Sequence, residues 1–112
     1  MPFYAVFDGE SAVGFVALKV HNADTAEVFV MGVQKPYHRR GIGAELIGRC
    51  EAYCRANGQT FLTVKTLDAS REDEGYRRTR LFYKAMGFLP LGVFPTLWGE
   101  GNPCLLMAKC VR

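Results

Sequence analysis

The stretch Val33-Gln34-Lys35-Pro36-Tyr37-His38-Arg39-Arg40-Gly41-Ile42-Gly43-Ala44-Glu45-Leu46 decides how this chain is read. An apolar run from Val28 to Val33 leads into it, and a helical pattern leads out of it. Between the two stand two arginines and two glycines, so the order is strand, tight basic loop, helix. A helix start presents unpaired backbone N–H groups and the positive end of the helix dipole. Gly41 and Gly43 leave room for an anion against the backbone, and Arg39 and Arg40 add charge-assisted donors. The loop therefore suits a phosphate or pyrophosphate. Taken alone, the same residues also fit an ordinary strand-to-helix turn with arginines for solubility. A nucleoside-triphosphate loop is excluded by the missing Gly-Lys-Ser/Thr ending. A dinucleotide loop is excluded because Gly48 falls too late to be its third glycine.

The totals bound the answer. A chain of 112 residues builds one small domain around one core. Apolar residues at 49% and charged residues at 22% are ordinary for a folded protein. A net charge of +3 is too mild to imply nucleic acid by itself. No apolar run approaches the ~20 residues of a membrane helix. Asp8 and Glu10 interrupt any signal-peptide layout, so the expected location is the cytoplasm, with no membrane partner. The four cysteines, Cys50, Cys54, Cys104 and Cys110, contain no Cys-x-x-Cys pair. They read as free buried thiols, with no metal site expected.

Along the chain, Phe3–Phe7 and Ala12–Val20 are strands joined by the turn residues Asp8-Gly9-Glu10-Ser11. Thr25–Val33 is a third strand, making an antiparallel meander. A helix from Gly41 to Ala56 buries Leu46, Ile47, Cys50, Tyr53 and Cys54 and stops at Asn57-Gly58. Phe61–Val64 is a fourth strand, suggesting a parallel crossover from the third. After a polar loop, a second helix from Tyr76 to Met86 buries Phe82, Ala85 and Met86 and ends at Gly87. Phe88–Phe94, bent at Pro90, and Cys104–Val111 are the last strands, separated by the loop that carries Trp98.

His38-Arg39-Arg40-Gly41-Ile42-Gly43 resembles the acyl-CoA pyrophosphate loop of the GNAT superfamily of N-acetyltransferases. That pattern is Gln or Arg, two residues, Gly, one residue, then Gly or Ala. The chain departs from it at His38. Phe82-Tyr83-Lys84-Ala85-Met86-Gly87-Phe88 resembles the superfamily's second motif, a tyrosine on the late helix followed by Gly-Phe. The order of elements matches along nearly the whole chain. The resemblance implies one acyltransferase domain over residues 1–112. It implies an α+β fold, a mixed and mostly antiparallel sheet of about six strands with two main helices and splayed central strands.

The function it implies is direct transfer of an acetyl group from acetyl-CoA, as co-substrate, to a primary amine of a small molecule or peptide. By resemblance, the pantetheine arm pairs with backbone near Met31 to Val33. The pyrophosphate takes N–H bonds from Arg39, Arg40, Gly41, Ile42, Gly43 and Ala44, with His38 bordering the phosphate. Tyr83 is the implied general acid, since a phenol near pKa 10 stays protonated at neutral pH. Packing alone also accounts for Tyr83. Glu27, in a stretch similar to the Ala-Glu-Ile of the histone acetyltransferase branch, is the candidate base, directly or through water. A solvated strand-end glutamate fits equally, and His21 and His38 are weaker alternatives. Phe94 and Trp98 are the candidate acceptor wall.

Superfamily members usually open with a strand and two helices before the first hairpin, whereas here the hairpin begins at Phe3. The corresponding expectation is a homodimer whose partner covers that region. Two competing readings are an acyl-CoA-binding module without efficient catalysis and a basic nucleic-acid module built on Arg71, Arg77, Arg78 and Arg80. Glu72, Asp73 and Glu74 interleave with those arginines, which favours a solvated helix face.

Overall fold

The computed structural model describes Met1–Arg112. Its elements are β1 (Phe3–Asp8), β2 (Ser11–Val20), β3 (Thr25–Val33), a 3₁₀ turn (Lys35–Tyr37), α1 (Ile42–Asn57), β4 (Phe61–Leu67), α2 (Glu74–Ala85), β5 (Leu89–Phe94) and β6 (Cys104–Cys110). The six strands follow the order β1-β2-β3-β4-β6-β5. The chain has two compact units, Met1–Leu62 with Cys110–Arg112, and Thr63–Lys109. β4 begins in the first and continues in the second.

In the first unit, β1, β2 and β3 form the expected antiparallel meander, with Tyr4 opposite Val16 and Val16 opposite Met31. The period-2 alternation of β2 sends Val16 and Leu18 inward and Phe15 and Lys19 outward. The inward face meets the stripe Leu46, Ile47, Cys50 and Cys54 of α1, all buried. Each large apolar side chain removed from water this way contributes about 1.5–3 kcal/mol. Gly14 shares the inward face. A Cβ there would stand 2.8 Å from Ile42 Cγ2, so its absence lets the first turn of α1 sit down on β2. Gly58 closes the other end of α1 in the left-handed conformation. One irregularity interrupts the β2–β3 ladder: Leu18 faces Val28 and Ala17 faces Val30. Phe29 is thus the extra residue of a bulge, which strengthens the local twist of β3.

In the second unit, α2 starts at Glu74 rather than Tyr76. The Asp73 side chain accepts the Tyr76 N–H at 3.0 Å, so the cap sits earlier than the apolar pattern indicated. The buried face also differs from expectation. Tyr83 is the buried residue of α2, Phe82 and Met86 are half-buried, and Ala85 is exposed. Neighbouring aromatics 100° apart on a helix are equally plausible core residues in a sequence. The choice falls on Tyr83 because its ring packs edge-on against fully buried Phe88 at 5.6 Å. β5 bends at Pro90 as expected, with a register shift between Pro90 and Gly92, where proline has no N–H for the ladder. The arginines of this unit are engaged. Arg77 and Arg78 reach Glu74 at 3.4 and 3.8 Å. Arg80 donates to the Leu67 carbonyl at 2.7 Å, and Arg71 donates to the Gly101 carbonyl at 3.1 Å and to Asn102.

Cys50, Cys54 and Cys104 are buried thiols as expected, but Cys110, the last residue of β6, is exposed. No helix is long and apolar enough to cross a membrane. No group of three or more His, Cys, Asp or Glu side chains is placed to hold a metal ion.

Candidate active site

The loop between β3 and α1 is tied down along its length. The Gln34 N–H donates to the Val13 carbonyl at 2.8 Å, and its side-chain amide to the Ala12 carbonyl at 2.7 Å. The Tyr37 hydroxyl donates to Asp8 Oδ2 at 2.6 Å, and the Arg40 guanidinium lies over the Tyr37 ring, 5.1 Å from its centroid. The hydrogen bond to Asp8 is the main reason the Tyr37 phenol is raised above its ordinary value of 10.0. His38 Nε2 sits 2.8 Å from the Val33 carbonyl oxygen and donates to it. Between these ties, Arg39 adopts φ +64° and Gly41 φ +78°. The left-handed conformation costs a non-glycine residue about 1–2 kcal/mol. It persists at Arg39 because the residues on both sides are held.

This geometry makes an open helix start. Gly41 is the N-cap of α1 and offers no side chain to the first N–H groups. The first intrahelical bond runs from the Glu45 N–H to the Gly41 carbonyl at 3.0 Å. The N–H groups of Ile42, Gly43 and Ala44 therefore lack an intrahelical partner. A Cβ on Gly41 would meet nothing within 4 Å, so the approach to these donors is clear. The residues His38, Arg39, Arg40, Gly41, Ile42, Gly43 and Ala44 thus share one turn of chain, with half-buried Met31 and Val33 just upstream on β3. Val33 also borders a cleft of about 430 Å³ between Ala12–Phe15 and Gly32–Gln34.

Glu27 lies near the other end of β3, six residues before Val33, or about 20 Å along an extended strand. It is not a solvated strand-end residue. It is 4% exposed, and its Oε1 lies 2.6 Å from His21 Nε2.

Tyr83, Phe94 and Trp98 belong to the second unit. Burial, with the charge of Tyr76 adding, pushes the Tyr83 phenol up to about 12. Phe94 and Trp98 are exposed at 46% and 41%, and a Gly99 N–H to Thr96 carbonyl bond of 3.0 Å closes the Trp98 loop.

Sequence reasoning missed Asp8, Tyr37 and Gly14. Gly14 left a readable signal, a glycine inside an apolar strand, which marks a close approach. Asp8 and Tyr37 are 29 residues apart and left none.

A sequence profile of the Acetyltransferase (GNAT) family matches residues 1–88. The chain belongs to the GNAT acetyltransferase family. Over 53 residues it is 36% identical to the mycothiol acetyltransferase of Corynebacterium glutamicum (strain R), a match covering 47% of this chain and 18% of that protein. The chain therefore spans under a fifth of that relative's length. Solved GNAT structures share its fold. A GNAT-family protein from Desulfovibrio desulfuricans superposes with a TM-score of 0.86 at 19% identity, covering 98% of this chain and 68% of that one. An aminoglycoside 6′-N-acetyltransferase complexed with coenzyme A gives 0.81 at 21% identity, covering 98% and 72%.

Proposed function

We propose that this GNAT domain is an acetyl-CoA-dependent N-acetyltransferase acting on a primary amine of a small molecule or peptide. The uncapped helix start at Gly41, flanked by Arg39 and Arg40, carries this reading. Its donors and open approach fit a pyrophosphate. The N–H groups of Ile42, Gly43 and Ala44 would hold it, with Arg39 and Arg40 supplying charge and the backbone of Met31 and Val33 pairing with the pantetheine arm. The chemistry of the co-substrate is that of an activated thioester. The names of two relatives, an aminoglycoside acetyltransferase and mycothiol acetyltransferase, favour a small-molecule acceptor. Phe94 and Trp98 are the proposed acceptor wall.

Tyr83 is the proposed proton donor to the leaving sulfur. A free thiol has a pKa near 8.5. Complete transfer from a phenol at about 12 to a free thiolate is uphill by about 5 kcal/mol. Tyr83 therefore works as a neutral hydrogen-bond donor whose proton moves only as the C–S bond breaks. Glu27 is the proposed base, acting directly or through water. Exposed Phe3, Phe7, Phe15 and Phe29 on β1–β3 support a homodimer that covers them. A monomeric mass in light scattering at micromolar concentration removes that part of the reading.

The deciding experiment is calorimetric titration with acetyl-CoA, run on wild type and Gly41→Glu, followed by a thiol-release screen of amines. Micromolar binding lost in the variant, with turnover on some amine, is the expected result. Binding without turnover on any amine selects the acyl-CoA-binding module instead. No binding by folded wild type removes the co-substrate.

A further inference from the structure

The His21–Glu27 pair carries more than the strand position of either residue. Glu27 is almost wholly inside, with 5% of its side chain exposed, while 35% of the His21 side chain remains open. The turn between β2 and β3 holds the His21 backbone in place. The His21 N–H donates to the Thr25 carbonyl at 3.0 Å, and the Asn22 side-chain oxygen accepts the N–H groups of Asp24 and Thr25 at 2.8 and 2.9 Å. Lys19, directly opposite Glu27 in the ladder, places its ammonium 5.3 Å from the Phe29 ring centroid. The bulge that turns Phe29 outward lies two residues after Glu27.

A carboxylate accepts hydrogen bonds, so the imidazole meets Glu27 through a protonated Nε2. That leaves Nδ1 as the second ring nitrogen and places it on the accessible member of the pair. A buried carboxylate behind a partly exposed imidazole fixes the ring's tautomer and orientation. We propose that His21 Nδ1 is the atom that accepts the acceptor amine's proton, and that Glu27 is a positioning residue acting through it. This rests on the transferase reading and puts the His21 imidazole between Glu27 and the amine, where that reading has direct contact or water.

The step balances without a further reactant. The neutral amine's lone pair forms the N–C bond to the acetyl carbonyl carbon. The C–S bond breaks with its electron pair on sulfur, which takes the Tyr83 phenol proton, and the phenolate regains one from water. The nitrogen's surplus proton goes to Nδ1, and the imidazolium returns it to water.

The test uses the full chain and an amine found by thiol release. His21→Gln keeps a donor toward Glu27 but removes the base. Its kcat should fall by about 10²–10⁴, the usual contribution of a positioned base, while acetyl-CoA binding by calorimetry stays unchanged. Imidazole added to His21→Ala should restore part of the rate. Glu27→Gln should cost little further in the His21→Gln background, because one residue acts through the other. A readout independent of turnover is the long-range ¹H–¹⁵N spectrum of the free protein. It should show neutral His21 as a single Nε2–H tautomer in wild type and a tautomer mixture in Glu27→Gln. Wild-type turnover undisturbed in His21→Gln, additive losses in the double variant, or an Nδ1–H tautomer overturns the assignment alone. A wild type that binds acetyl-CoA yet releases no thiol with any amine overturns the transferase reading and this assignment with it.

Discussion

His38 Nε2 and the Val33 carbonyl oxygen lie 2.8 Å apart, so the residue that departs from the family's loop pattern fastens that loop to the end of β3. With Nε2 spent on the carbonyl, His38 is expected to serve the phosphate by holding the cradle's shape. One such bond is worth about 0.5–1.5 kcal/mol net. His38→Ala should therefore weaken acetyl-CoA binding about 2–10-fold, and His38→Gln, which can donate to the same carbonyl, should recover part of it. Calorimetry on the three proteins checks this, and identical affinities would show that the tie does not matter to the ligand.

Arg39 separates function from stability. Its φ of +64° is a cost that glycine would not carry. Relief of about 1–2 kcal/mol is set against about 0.5–1 kcal/mol of added chain entropy in the unfolded state. Arg39→Gly should melt no lower than wild type. It also removes one charge-assisted donor, so acetyl-CoA affinity should fall by about tenfold. A variant that melts lower with affinity intact would make Arg39 a structural residue.

Gly14 couples packing to the cradle. A methyl group at this position would meet Ile42 Cγ2 at 2.8 Å, and Ile42 supplies one of the proposed phosphate-binding N–H groups. Overpacking of this kind costs about 1–3 kcal/mol. Gly14→Ala should lower both the melting temperature and acetyl-CoA affinity, and adding Ile42→Ala should restore part of both. A lower melting temperature with unchanged affinity would show that the helix start does not move with Ile42.

Alkaline pH should destabilise the fold through three buried acids, Cys50, Cys54 and Tyr83, each raised chiefly by burial. Burial, with the charges of Cys54 and Glu51 adding, pushes the Cys50 thiol from 9.0 up to about 12, and Tyr83 rises from 10.0 to about 12. All three are neutral in the fold and ionise sooner in the unfolded chain. Above pH 9 the unfolded chain thus binds fewer protons, and stability falls as pH rises. The contribution is whole below about pH 9, begins to go through Cys50 and Cys54, falls further above pH 10 through Tyr83, and is spent near pH 12. Thermal melts should hold level from neutral pH to about 8.5 and decline above 9, with the decline shallower in Cys50→Ala, where Cys54 still sets the onset. A melting temperature level to pH 11 in wild type would contradict the assignment.

Local chemistry determined much of this protein in advance. Turn residues at Asp8-Gly9, period-2 runs on either side, helical spacing from Leu46 to Cys54 and the stop at Gly58 are contacts between near neighbours, so the sequence carries them. The open helix start at Gly41 was legible for the same reason, since a helix start is built from consecutive residues. The tertiary structure decided whatever depends on partners remote in the chain. Tyr83 rather than Phe82 became the buried aromatic because Phe88 folds back beneath it. Tyr37 is anchored by Asp8, a residue 29 positions away, and α1 settles where Gly14 leaves space. Glu27 could be read as a solvated strand end until β3 packed. Burial then took its carboxylate out of water and gave it His21, and a group withdrawn from solvent needs a partner that composition and spacing do not name.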